Sequence, residues 1–138
     1  MHILVVGGGM GGTILANNLA RRLSGELEQG SSKITMLSAS DKHMYQPGLL
    51  YVAVGKMSTT ELYRDQKSLL EPSIDFHVDP VEKFDLDNNS VTTKSGKKIS
   101  YDIICIATGS RGNAAGIPGL AENACQFYTE ADALAMYK

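Results

Sequence analysis

An α/β domain with a parallel sheet, opened by a βαβ unit and interrupted by a three-stranded β-meander, is what this sequence predicts. Three observations carry the prediction. An apolar, β-branched run from His2 to Val6 leads directly into the glycine-rich stretch "GGGMGG" at residues 7–12 and then into an apolar pattern of helical period. Two turn signals, "DNNS" and "KSGK", divide residues 81–100 into three short strands. A strongly apolar segment, Tyr101 to Ala107, then ends at Gly109.

Taken in chain order, His2 to Val6 reads as a short buried strand. Ala16, Leu19, Ala20 and Leu23 follow at i, i+3, i+4 and i+7, one face of a helix that should end near Gly25. The polar turn "EQGSSK" leads to a second strand, Ile34 to Leu37, and strand, helix, strand at this length is a right-handed parallel unit. Residues 38–57 have apolar content without a clean period and read as a structured loop suited to carry function. "TTELYRDQKSLLEPS" predicts a short helix capped near Thr59 or Thr60, with Pro72 just past its end. "IDFHV" is a third strand, the meander and the Tyr101 to Ala107 strand come next, residues 110–124 read as loop, and a helix begins at Glu130.

The chain has 138 residues, enough for one compact domain. A net charge of -2 gives no reason to expect nucleic acid or an anionic membrane surface as partner. Met1 to Val6 lacks the pattern of a secretory leader and no apolar run is long enough to span a bilayer, so the expectation is a cytoplasmic protein. Cys105 and Cys125 are the two cysteines, far apart, which predicts neither a disulfide framework nor a metal knuckle; no metal is expected. His2, His43 and His77 are scattered and read as structural or solvated.

Gly7, Gly9 and Gly12 fit G-x-G-x-x-G between a strand and a helix, which makes the predicted sheet Rossmann-like. The first glycine permits the tight turn, the second lets a pyrophosphate lie against the backbone, and the third lets the helix pack close to the strand. The helix N-terminus supplies unpaired N–H groups and the positive end of its dipole. The whole loop, with Gly8, Met10 and Gly11 between the motif glycines, is therefore the candidate cofactor cradle. A dinucleotide site usually has Asp or Glu at the end of the second strand to hold a ribose, whereas this chain has Ser38, with Asp41 the nearest carboxylate. Ser38 or Ser40 can hydrogen-bond a ribose, or be an ordinary loop serine.

The order GGGMGG, strand, loop, meander and "IATGS" resembles the FAD-binding half of the flavoprotein disulfide-reductase superfamily. The segment "ITMLSASDKHMYQPGLLYVAVG" is similar to that of sulfide:quinone oxidoreductases, in which a second strand ends in serine and leads to an aromatic-x-Pro stretch and a Val-x-Val-Gly. The resemblance implies an FAD/NAD(P)-binding domain. In it Gly7, Gly9 and Gly12 would hold the FAD pyrophosphate, Ser38 the adenosine ribose region and Val78 the adenine through its backbone. Pro47 would lie beside the isoalloxazine, and Ala107, Thr108 and Gly109 would close over the cofactor. It further implies electron flow from sulfide through FAD to a quinone. NADH is the donor in the similar type II NADH:quinone enzymes, which usually carry an acidic residue where Ser38 stands. A non-catalytic module that senses NAD or another nucleotide is the alternative from outside the enzymes.

Sulfide:quinone oxidoreductases use redox cysteines, the first of them in the loop before the helix that begins here at Glu130. The matching position is Tyr128, and the nearest cysteine, Cys125, is the candidate catalytic residue, with a bystander role as the alternative. By the same resemblance residues 1–138 are the N-terminal FAD-binding portion of a larger enzyme and inactive alone. Peripheral association with the inner face of a membrane would come through other parts of it, and the oligomeric state is not readable here.

Overall fold

The computed structural model describes residues 1–113 and 116–137. In chain order the elements are β1 (His2–Val6), α1 (Met10–Arg22), α2 (Ser24–Glu28), β2 (Lys33–Ser38), β3 (Lys42–Met44), α3 (Leu49–Ala53), β4 (Tyr63–Asp65) and β5 (Ile74–Val78). There follow β6 (Val81–Asp85), β7 (Ser90–Thr93), β8 (Lys98–Ser100), β9 (Ile103–Ile106), α4 (Leu120–Asn123) and α5 (Glu130–Tyr137). Single 3-10 turns occupy Gln46–Gly48, Thr59–Leu62 and Lys67–Leu69. The chain divides into two units, Met1–His43 with Asp65–Gly109, and Met44–Arg64 with Ser110–Lys138.

The first unit holds a parallel sheet in the order β5-β2-β1-β9 and the antiparallel meander β6-β7-β8. The predicted fold class is the observed one. Alternation along β1 explains its unbroken apolar run. Ile3 and Val5 point to one face, where they pack with Ala16 and Ala20 of α1 and with Ile34, Met36 and Ile74. Leu4 and Val6 point to the other, where Leu37, Val91, Ile99 and Tyr101 cover them. The helix seals one face and the meander the other. Each fully buried aliphatic side chain in this strand contributes roughly 1.5–3 kcal/mol. α1 ends at Arg22, just before the expected stop, with Arg21 and Arg22 in its last turn where cations favour the dipole, and Gly25 falls inside α2.

Two expectations need correction. The segment 59–73 is no helix. Its start signal is real, because the Ser58 side chain accepts from the Thr60 N–H and the Glu61 carboxylate accepts from the Ser58 N–H at 2.8 Å, a capping box. The box closes only one 3-10 turn, since β4 is drawn into extended pairing with β3, flanked by the Tyr45 N–H on the Leu62 carbonyl (2.7 Å) and the Gln66 N–H on the Asp41 carbonyl (2.8 Å). Partner hydrogen bonds of this kind override a weak helix propensity. The last strand is also shorter than read: the Asp102 N–H bonds the His2 carbonyl and the chain straightens only at Ile103. β9 is the outer strand of its sheet, so Cys105 is half-buried beside the helix-side cluster and not enclosed in it, and Ile106 is 55% exposed.

The second unit packs α3 on α5 around Leu49, Val52, Leu62 and Ala133. The expected loop is thus partly helical, and Gly48 is tightly packed where it enters α3: a Cβ there would stand 2.6 Å from Leu62 Cδ2 and 3.1 Å from Met57 Sδ. The Tyr63 hydroxyl donates to the Glu130 carboxylate, and this bond, with burial and the carboxylate charge behind it, holds the phenol above its ordinary range. A group whose folded-state pKa is raised contributes stability that is complete below its unfolded value and lost as pH rises through the folded one. The thermal midpoint should therefore fall more steeply above about pH 10 in the wild type than in Tyr63→Phe, the unfolded phenol titrating near there. Parallel curves for the two proteins would show that the bond contributes nothing. Among the described residues no helix is long and apolar enough to cross a membrane.

Candidate functional site

The glycine loop joins β1 to α1 at the point where the order of the strands reverses. From β1 the chain runs through α1 to β2 on one side, while β9 lies on the other, and ligands of open α/β sheets bind at such a switch point beyond the carboxyl ends of the strands. The Gly7 N–H bonds the Leu37 carbonyl at 2.8 Å and the Ala107 N–H bonds the Val6 carbonyl at 2.7 Å, so the loop is laced to both neighbouring strand ends.

Each glycine answers to a different constraint. Gly7 has φ +118°, and a Cβ there would lie 2.2 Å from the Ala107 carbonyl oxygen. A Cβ on Gly12 would lie 1.9 Å from the Gly7 carbonyl oxygen, which is the close packing of helix on loop. A Cβ on Gly8 would meet Ser38 Oγ at 2.5 Å. At Gly9 and Gly11 a Cβ would touch nothing within 4 Å. Among the described residues, no packing contact beyond the chain neighbours requires glycine at these two positions.

Gly9 is the N-cap of α1 and offers no side chain to cap it, the first turn has no acidic residue, and Gly9, Met10 and Gly11 are exposed. The unpaired N–H groups of a 13-residue helix are thus left open, with the positive dipole end behind them. That donor set fits a phosphate or pyrophosphate.

Along the same edge of the sheet stand Ser38 and Val78, paired in register at the ends of β2 and β5. Ser38 is buried, packed beneath Gly8, and its hydroxyl accepts the Ser40 N–H at 3.2 Å. Ser40 is exposed and its hydroxyl accepts the Lys42 N–H at 2.9 Å. Both hydroxyls keep a proton to donate. Thr108 and Gly109 are exposed after β9, with Gly109 at φ +79°. Pro47 and Cys125 belong to the second unit, Pro47 exposed in the 3-10 turn Gln46–Gly48 and Cys125 exposed before α5. Tyr128, which stands where the resemblance expects a cysteine, shares a 3.0 Å hydrogen bond with Ser110, and that bond lowers its phenol below the ordinary range.

Each histidine is held by neighbouring polar groups. His2 Nε2 meets Thr35 Oγ1 at 2.8 Å. His77 and Lys33 flank Asp75 at 2.9 and 2.7 Å; burial raises the carboxyl, but their hydrogen bonds and charges prevail and hold it below the usual carboxylate range. His43 lies against the Gly8 carbonyl beside Gln66 and Thr13. Sequence reasoning singled out neither Gln66 nor Thr13, and a glutamine within "YRDQKS" carries no signal of burial. Among the described residues no group of three His, Cys, Asp or Glu is placed to hold a metal ion.

A family model described as pyridine nucleotide-disulphide oxidoreductase matches residues 1–137. The sulfide-quinone reductase of Aquifex aeolicus is 36% identical over 99% of this chain, which spans 30% of that protein. The mitochondrial sulfide:quinone oxidoreductase of Mus musculus is 32% identical over 88% of the chain, which covers 26% of it. Among solved structures, the sulfide:quinone oxidoreductase of Aquifex aeolicus superposes with a TM-score of 0.78 at 31% identity, over 99% of this chain and 30% of that one.

Proposed function

The chain belongs to the pyridine nucleotide-disulphide oxidoreductase family, and from that premise we propose that it forms the FAD-binding portion of a sulfide:quinone oxidoreductase. The observation that carries the cofactor assignment is the empty space above Gly9 at an uncapped helix N-terminus, on the switch-point edge of the sheet. The substrate assignment rests on the sulfide:quinone relatives.

In this reading the exposed N–H groups of residues 9–11 bind the pyrophosphate, and Gly7 and Gly12 keep the loop tight enough to present them. Ser40, with Ser38 beneath it, hydrogen-bonds the adenosine ribose; a hydroxyl donor there, in place of a carboxylate, disfavours an ordinary NAD site. The Val78 backbone borders the adenine and Ala107 to Gly109 border the cofactor from β9, while the family resemblance assigns Pro47 to its ring. When bound, the flavin supplies the two-electron chemistry by which sulfide is oxidised and a quinone reduced to quinol, while the protein binds and orients it. Cys125, exposed and free, is the candidate for taking up sulfur.

Calorimetric titration of the chain with FAD, ADP and NAD tests the cofactor assignment. FAD and ADP should bind and NAD should bind more weakly. A clear preference for NAD would overturn the flavin reading in favour of a nucleotide-sensing module.

A further inference from the structure

Behind the glycine loop lies a closed set of polar side chains with no part in the chemistry so far assigned. Gln66 is fully buried and Thr13 is nearly so. Gln66 Nε2 donates to Thr13 Oγ1 at 2.8 Å, and the Thr13 hydroxyl donates to the Gly8 carbonyl at 3.3 Å. His43 Nδ1 stands 3.1 Å from that same carbonyl and 3.1 Å from Gln66 Oε1. Directions in this set are fixed by one atom. The Gly8 carbonyl can only accept, so His43 Nδ1 must carry a proton, and Gln66 must turn its oxygen to His43 and its amide nitrogen to Thr13. With the amide reversed, the Thr13 proton would be drawn to Gln66 and Nδ1 would face Gly8 oxygen lone pair to lone pair.

The consequence falls on the next N–H. Among the described residues no peptide bond is cis, so the Gly9 N–H points opposite to the Gly8 C=O. A carbonyl held inward by two donors therefore turns the Gly9 N–H outward, at the exposed N-cap where a side chain would meet nothing. We propose that Thr13, His43 and Gln66 are positioning residues, which lock the Gly8–Gly9 peptide and so preset its N–H for a diphosphate. The proposal rests on the reading of the loop as a diphosphate cradle. Because two of its three side chains, Thr13 and Gln66, are buried, the lock is in place and the cradle formed before ligand arrives, which spares the binding step the ordering of the loop.

The test uses the 138-residue chain, with calorimetry against ADP and ¹⁵N NMR of the ligand-free protein. Thr13→Val removes a donor with little change of shape and should weaken ADP by about five- to tenfold, the scale of one hydrogen bond. Thr13→Ser should restore the affinity. The NMR spectrum should show His43 protonated at Nδ1, and in Thr13→Val the amide shifts should concentrate at residues 8–10. Unchanged ADP affinity, no rescue by serine, an Nε2-protonated His43, or shifts spread across the sheet would each overturn the proposal. A wild type that binds no ADP but shows the Nδ1 proton and the localised shifts would leave the peptide lock standing and sink the diphosphate reading instead.

Discussion

Gly9→Val abolishes ADP binding and leaves the chain folded. The two halves of this expectation come from one observation: among the described residues, a Cβ on Gly9 meets nothing within 4 Å beyond its chain neighbours and the backbone of its own helix. Its backbone, at φ -74° and ψ -176°, is extended and open to any residue, so no strain accompanies the substitution. The remaining cost is the poorer capping by valine at an N-cap, at most about 1 kcal/mol. The ligand meets a different surface. A diphosphate bound by the N–H groups of the first turn must lie against the α-carbon of Gly9, and a branched side chain there stands in its path. Affinity should fall by at least about a hundredfold, or ~2.7 kcal/mol. Calorimetry with ADP and a thermal melt decide it together. Retained binding would show that the phosphate path runs elsewhere, and loss of the fold would show that Gly9 has a structural role.

How much of this could be read in the sequence depends on how local the cause is. The β1-α1-β2 unit was legible because its signal is a period within one element and a glycine cluster between two. The meander was legible because "DNNS" and "KSGK" act at their own positions. The region 39–73 was not. β3 and β4 are three residues each, and what makes them strands is each other, across an intervening stretch whose apolar residues pack on α5. Ser38 shows the same limit at the site. Its position at the end of β2 suggested a ribose, while its packing beneath Gly8 depends on a loop 30 residues earlier and leaves the exposed Ser40 as the accessible hydroxyl. Gln66, fully buried between Thr13 and His43, is the extreme case, since the partners of its side chain are all remote in sequence.

Gly12→Ala destabilises the chain strongly, against the general preference of helices for alanine. In an exposed helix interior the exchange favours alanine by about 1 kcal/mol, because glycine loses more backbone freedom on folding. Here the new methyl would stand 1.9 Å from the Gly7 carbonyl oxygen and 3.5 Å from Ala107 Cβ. The first neighbour is backbone, held by the turn at Gly7 and by its hydrogen bond to Leu37, so relief requires α1 to lift off the loop by more than 1 Å. That movement opens the cluster of Ile3, Val5, Ala16 and Ala20 beneath the helix. Overpacking of this kind costs typically 1–3 kcal/mol and more where backbone is the obstacle, so the net loss should be roughly 2–4 kcal/mol. For a chain of this length the melting midpoint should drop by on the order of 10 °C. Gly11→Ala is the control, one residue earlier in the same helix with nothing within 4 Å of the added carbon, and should leave the midpoint unchanged or raise it. Equal midpoints for the two variants would mean that α1 does not sit on the loop as closely as the packing of Gly12 on Gly7 requires, and the pyrophosphate cradle would lose its floor.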